Sequence, residues 1–224
     1  MKTISFAMLS LLLNVFLSCG GQSSQNPSES SSPAPVGGPF ENSEYYQEGM
    51  PANITAVDSS AAWKKGGAKL HISGVIFKAD GTTPAKDVVL YYYQTDTNGR
   101  YVHNANEPRS MQPDEQGRTH GYIRGWVKTG ADGRYSIYTI RPGFYPRSDE
   151  PAHIHATIIE PGINEYYIDD FLFDDDKYLT TAKRKNLQKR GGSGILVLEK
   201  TEEIFTAKRN IILGMNIPNY NKGR

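Results

Sequence analysis

Residues 131–139, Ala131-Asp132-Gly133-Arg134-Tyr135-Ser136-Ile137-Tyr138-Thr139, read as a tight turn that delivers the chain into a strand. Asp-Gly accepts the positive φ that tight hairpin turns need, and the residues after it are β-formers. The same grammar recurs on both sides. Leu70 to Phe77 reads as a strand and Ala79-Asp80-Gly81 as a turn. Val88 to Tyr93 is a second strand, whose continuous apolar and aromatic run predicts burial on both faces. Thr97-Asn98-Gly99 turns again, and strands follow at Gly121 to Lys128, Ala152 to Ile159, Tyr167 to Phe173 and Ile204 to Leu213. Short strands punctuated by Gly and Asp predict an all-β fold, an antiparallel β-sandwich with long loops. One short helix is expected within Thr180 to Lys189, closed by Gly191-Gly192.

With 224 residues, 38% of them hydrophobic and 22% charged, the chain can bury an ordinary core. The formal net charge is +1, and no basic stripe with interleaved aromatics suggests nucleic acid. The basic cluster Lys183-Arg184-Lys185 with Lys189-Arg190 reads as a solvated loop or helix face. Tyrosine is abundant, at 14 copies, and packing in half-buried strands accounts for most of a tyrosine-rich composition.

The N-terminus carries an address. Lys2 precedes an apolar run from Ile4 to Leu17, too short and too early for a working membrane span. It ends in Phe16-Leu17-Ser18-Cys19-Gly20, which resembles the lipobox of bacterial lipoproteins. The resemblance implies a signal peptide over 1–18 and lipidation of Cys19, the chain's single cysteine. The expectation is an exported protein, lipid-anchored to a bacterial membrane and facing the periplasm or cell exterior. Residues 19–45 begin with a Ser/Pro/Gly/Gln-rich stretch and read as a flexible tether, leaving 46–224 for the folded domain.

Chemistry concentrates in three places. In Pro151-Ala152-His153-Ile154-His155-Ala156, two histidines spaced by two on a strand share a face, about 7 Å apart at Cα. Both can reach one metal, as also happens in zinc and copper sites; most such pairs bind nothing. Pro142-Gly143-Phe144-Tyr145-Pro146 fixes the backbone around one tyrosine just before that strand. Asn98-Gly99-Arg100-Tyr101 places another just past a tight turn. Each tyrosine taken alone is equally well read as packing.

Taken in order, Gly-Arg-Tyr at 99–101, Gly133-Arg134-Tyr135-Ser136, Thr139-Ile140-Arg141-Pro142-Gly143-Phe144-Tyr145-Pro146 and Pro151-Ala152-His153-Ile154-His155 resemble the intradiol ring-cleavage dioxygenases, and within them the protocatechuate 3,4-dioxygenase group. The resemblance extends from about Ile72 to Leu213 and includes Asp170 to Asp175. It implies a non-haem Fe(III) held by Tyr101, Tyr145, His153 and His155. It also implies an aromatic diol and O2 as partners, and ring opening to a muconate-type diacid. Tyr145 would be the ligand displaced by the diol and the acceptor of its proton; Tyr101 and both histidines would stay on the metal. A hard trivalent ion favours anionic oxygen donors and accepts imidazole, which suits this set.

The chain departs from the family pattern around these ligands. Glu150 stands where the family has an arginine that stabilises substrate charge, and Arg147 replaces a common aromatic. Asp170 replaces a common glutamine. Arg147 and Arg124 are the candidates to supply the missing positive charge. Two other readings compete with the enzyme. Gly74 to Tyr101 also resembles small prealbumin-like surface modules without iron, which do not need the tyrosine–histidine set beyond Tyr101. A family member that binds iron without turnover is the other. A homo-oligomer is the general expectation for such domains.

Overall fold

A computed structural model describes residues 34–40 and 43–222. Residues 1–18 and Cys19 lie outside the described residues. Twelve strands form: β1 (Val57–Ser59), β2 (Lys69–Phe77), β3 (Val89–Gln94), β4 (Arg124–Lys128), β5 (Arg134–Ile140), β6 (His153–Ile159), β7 (Tyr166–Tyr167), β8 (Phe171–Phe173), β9 (Ile195–Leu196), β10 (Glu199–Thr201), β11 (Ile204–Lys208) and β12 (Ile211–Ile212). They build two six-stranded sheets, ordered β1-β5-β2-β11-β10 with β12 on β2, and β4-β3-β6-β8-β9 with β7 on β6.

The two sheets face each other as the expected sandwich. Alternate residues supply the core: Leu70, Ile72 and Ile76 from β2, Tyr135 and Ile137 from β5, Leu90 and Tyr92 from β3, and Ile154, Ala156 and Ile158 from β6. The period-2 alternation of a strand sends one set inward and leaves the other for the outer face. The sheets are mixed rather than wholly antiparallel, a correction to the sequence reading. β2–β5, β3–β4 and β3–β6 are antiparallel, but β1–β5, β2–β11, β2–β12 and β8–β9 are parallel. None of these parallel pairs is joined by a hairpin: β8 and β9 are linked through the segment carrying α1, and the other pairs join strands that are not consecutive in the chain.

The short helix expected within Thr180 to Lys189 forms as α1, Thr181–Asn186, with the Thr180 side chain accepting from the Lys183 amide. The strand expected over 204–213 breaks into β11 and β12 around Arg209, whose carbonyl accepts from the Tyr135 hydroxyl at 2.7 Å. Gly74 faces that break: a Cβ there would lie 1.8 Å from the Arg209 oxygen, so no other residue fits.

Part of the segment expected as a tether, 19–45, is packed on the folded domain. Val36 is buried in the core at 3% exposure. Its amide donates to Asn164 Oδ1 and its carbonyl accepts from Asn164 Nδ2, at 3.0 and 2.9 Å. The next amide, Gly37, donates to the Pro218 carbonyl. Phe40 stacks on Tyr167 and Tyr45 is buried, so the end of this segment docks through several side chains.

Candidate metal centre

The inward alternation of β6 places His153 and His155 together on the outer face of their sheet. Each ring has its Nδ1 committed. His153 Nδ1 lies 2.7 Å from the Pro151 carbonyl, and His155 Nδ1 lies 3.1 Å from Asp170 Oδ1. Both partners only accept, so Nδ1 carries the proton in each ring and both Nε2 lone pairs are left free. Those Nε2 atoms face each other at 3.1 Å. Two acceptors this close repel unless a cation or a shared proton stands between them.

Two turns bring the tyrosines to the same point. The Asp96 carboxylate accepts from the amides of Asn98 and Arg100, closing the turn that launches Tyr101. The second loop is fastened to the first: the Gly143 amide donates to the Asp96 carbonyl at 2.8 Å, and Thr95 Oγ1 donates to the Gly143 carbonyl at 2.8 Å. Gly99, at φ +73°, presses against the Phe144 carbonyl, where a Cβ would come within 1.9 Å. The Tyr101 and Tyr145 hydroxyls end 2.6 Å apart. Tyr145 Oη is 3.2 Å from His153 Nε2 and 3.3 Å from His155 Nε2, and Tyr101 Oη is 2.9 Å from His155 Nε2. Four donor atoms from three chain segments therefore converge on one small space, and all four are residues the sequence singled out.

Burial raises the pKa of both phenols. For Tyr101, desolvation is reinforced by the neighbouring Tyr145; for Tyr145, it outweighs the opposing hydrogen bond from Tyr101, with the charges of Glu150 and Asp170 adding to the rise. Both are neutral in a cation-free site. A bound multivalent cation reverses the balance, since it favours the ionised phenol at close range. His153, His155 and Asp170 also offer three ligand atoms within 4.8 Å of one another. Asp170 touches His155 on Nδ1, however, which makes it the partner that orients the ring while Nε2 faces the tyrosines. Burial opposes ionisation of Asp170, but the charges of His155, His153 and Arg209 and the His155 hydrogen bond outweigh it and hold its carboxyl below the usual range.

Behind the cluster stands an aromatic stack that sequence reasoning missed. Tyr93 lies opposite His155 across the β3–β6 ladder, and their rings stack at 4.4 Å. His120 stacks on the other face of this group, 3.5 Å from Tyr93 between centroids, with its Nδ1 2.7 Å from the Tyr91 hydroxyl. Burial, helped by the nearby Arg124 charge, pushes the His120 pKa down to about 3. The alternate tyrosines of Val89–Gln94 were the signal for this stack, legible only once their cross-strand partner was known.

A cleft of about 830 Å³ opens beside the histidines, with Tyr93, Glu150, His153, His155, Lys183 and Arg190 in its wall. Neither arginine expected to bind substrate lines it. Arg124 is fully buried; its guanidinium donates to the carbonyls of Tyr45 and Glu48 and lies over the Tyr91 and Trp126 rings. Arg147 is exposed at the tip of its loop with φ +64°. Of the basic cluster read as a solvated face, Lys185 and Lys189 are exposed, while Lys183 and Arg190 line the cleft.

The described residues thus form a two-sheet sandwich with a His–His–Tyr–Tyr cluster on one outer face. The Dioxygenase_C family model, described as Dioxygenase, matches residues 41–191, and the chain belongs to this intradiol dioxygenase family. It is 26% identical over 119 residues to the protocatechuate 3,4-dioxygenase beta chain of Burkholderia cepacia, covering 50% of this chain and 48% of that one. The chain spans about half the length of the curated relatives it matches. Among solved structures, it is similar to the dioxygenase domain of a dioxygenase–carbohydrate-binding protein fusion from Streptomyces sp. SirexAA-E, with TM-score 0.53, 21% identity, and coverage of 73% of this chain and 91% of that one. The hydroxyquinol 1,2-dioxygenase of Pseudomonas putida DLL-E4 aligns with TM-score 0.52 and 21% identity, over 83% of this chain and 67% of that one. At these identities the structural matches establish the fold alone.

Proposed function

We propose that this protein is a non-haem Fe(III) intradiol-type dioxygenase held by Tyr101, Tyr145, His153 and His155, which inserts both atoms of O2 into an aromatic diol and opens the ring to a muconate-type diacid. The observation that carries this reading is the donor cluster. Two imidazole Nε2 atoms face each other at 3.1 Å with both Nδ1 protons committed elsewhere, and two phenol oxygens close the same space. A hard cation satisfies all four donors at once, and two phenolates offset two of its three positive charges.

A bound ferric ion supplies Lewis acidity and a template for a chelating diol. The protein's own residues do the rest. Asp170 and the Pro151 carbonyl hold the two histidines in one tautomer, so neither ring reorients when the diol enters. Tyr145 has its proton affinity raised by burial and by Glu150 and Asp170. As a phenolate it would be suited to take a proton from an incoming diol hydroxyl. The Tyr93–His120 stack backs the site with rings rather than water.

The test is the visible spectrum of the iron-supplied protein. Tyrosinate on Fe(III) gives a reddish charge-transfer band, and a colourless protein without stoichiometric iron would sink the reading. Oxygen uptake with catechol, 3,4-dihydroxybenzoate and hydroxyquinol then measures turnover. One observation favours a second reading, iron binding without turnover: Glu150 lines the cleft where the family carries an arginine. A coloured protein that consumes no oxygen with any diol decides for that second reading.

We also propose export and lipid anchoring through Cys19, supported by the apolar run that precedes it. Cys19→Ser is expected to shift the protein from the membrane to the soluble fraction; an unchanged distribution removes the anchor.

A further inference from the structure

The cleft beside the metal centre has a charge pattern that the donor cluster does not use. Four carboxylates and two cations stand in its wall: Asp149, Glu150, Asp169, Asp170, Lys183 and Arg190. Most are committed. Asp170 holds His155, and Lys183 lies 3.5 Å from the Asp149 carboxylate and also bonds the Asp149 carbonyl. The Asp169 carboxylate accepts from the amides of Lys189 and Arg190, at 2.9 and 3.0 Å. Two charges remain. Glu150 has no ion pair among the described residues, and it lines the cleft together with His153 and His155. Arg190 has no side-chain partner among the described residues, and its Nε is buried without one.

Arg190 is nonetheless firmly placed. Besides the Asp169 clamp on its amide, its carbonyl accepts from the Asp169 amide at 3.1 Å. The next residue, Gly191, sits at φ +71° against Ile168, where a Cβ would come within 3.0 Å. A guanidinium on a fixed backbone, left free in a cleft, is pre-organised for an anion. The two free charges also come from different chain segments that line one cleft. Glu150 belongs to the loop that runs from Tyr145 into β6, whereas Arg190 is fastened to the segment carrying Asp170, behind His155. A carboxylate attached directly to the diol ring would stand near Glu150 and be repelled. The cleft's volume, about 830 Å³, far exceeds the roughly 150 Å³ in which a benzene ring fits.

Resting on the diol reading above, we infer that Arg190 is a specificity residue which selects aromatic diols carrying an anionic group at the end of a side chain, rather than on the ring. The ring meets the tyrosine–histidine cluster, the side chain runs along the cleft, and the terminal carboxylate pairs with the Arg190 guanidinium.

The experiment is an anaerobic titration of the iron-loaded protein, following the tyrosinate–iron band. Three probes are compared: 3-(3,4-dihydroxyphenyl)propanoate, its neutral counterpart 4-ethylcatechol, and 3,4-dihydroxybenzoate. The propanoate is expected to bind at least tenfold more tightly than 4-ethylcatechol and than the ring carboxylate. Arg190→Gln should bring the propanoate to within about twofold of 4-ethylcatechol while leaving 4-ethylcatechol unchanged, and Arg190→Lys should restore part of the preference. Because only the backbone of Arg190 is clamped, both variants are expected to fold, which thermal melting checks. A wild-type preference below twofold, or one that survives Arg190→Gln, overturns the inference. A second arm uses the iron-free protein and 3-phenylpropanoate, which has no diol, by calorimetry. Binding that disappears in Arg190→Gln supports the anion subsite even where the band shows that the diol reading has failed. Absence of such binding in the wild type counts against the subsite itself.

Discussion

Asp170 shows how much a single side chain can decide in this site. Its carboxylate touches only the far nitrogen of His155, yet that contact fixes which nitrogen faces the tyrosines. Asp170→Ala frees the ring to flip and to change tautomer. Affinity for iron should fall by about 10- to 100-fold, measured by competition with a chelator, with the protein still folded. His120 makes a different kind of statement. Its folded pKa, about 3, lies below the ordinary value of 6.5, so the unfolded chain takes up the proton first. The stabilisation from keeping it neutral is therefore full above pH 6.5 and is lost as pH falls toward 3. Urea midpoints compared between wild type and His120→Gln should show a shallower loss in the variant across that window. The difference is at most one proton, or about 1.4 kcal/mol per pH unit.

At the scale of elements, the site depends on two loops acting as one. The turn before Tyr101 and the loop around Tyr145 share the Asp96 carbonyl, the Thr95 hydroxyl and the close approach of Gly99 to Phe144. Gly99→Ala meets a left-handed φ and a backbone oxygen together. It should cost about 1–3 kcal/mol in stability and push the two loops apart. Separating the hydroxyls should also weaken the charge-transfer band more than the loss of stability alone explains, which parallel melting curves and spectra will test. The strand β6 is the complementary device. Ile154, Ala156 and Ile158 lock its inner face, so the register that sets His153 beside His155 cannot slip without exposing three core residues.

For the molecule as a whole, the two sheets supply the rigidity and the segment before residue 41 completes the core. Val36 reaches the same cluster as Tyr166, Ile168 and Tyr220. Val36→Ala should lower the unfolding free energy by about 1–3 kcal/mol in urea, through lost burial and a residual cavity. A truncation from the N-terminus should therefore stop short of Val36; one that deletes it should show the same loss or a larger one.

The strands, their turns and the histidine pair were legible in the sequence because they rest on local rules, whereas Tyr101 and Tyr145 joined that pair only through the resemblance to a known family. Asp-Gly and Asn-Gly demand turns, a period of two puts His153 and His155 on one face, and proline and glycine fix the loop at Tyr145. What the tertiary structure alone decided are the contacts between segments far apart in the chain. Arg124, a candidate for substrate charge, is spent under the Tyr45–Glu48 segment, while Arg190, which looked like one member of a solvated basic cluster, stands free in the cleft. Sequence spacing cannot distinguish a buried arginine bonded to carbonyls from an unpaired one facing a ligand. That difference is set by which distant backbone packs against each guanidinium, and only the folded chain settles it.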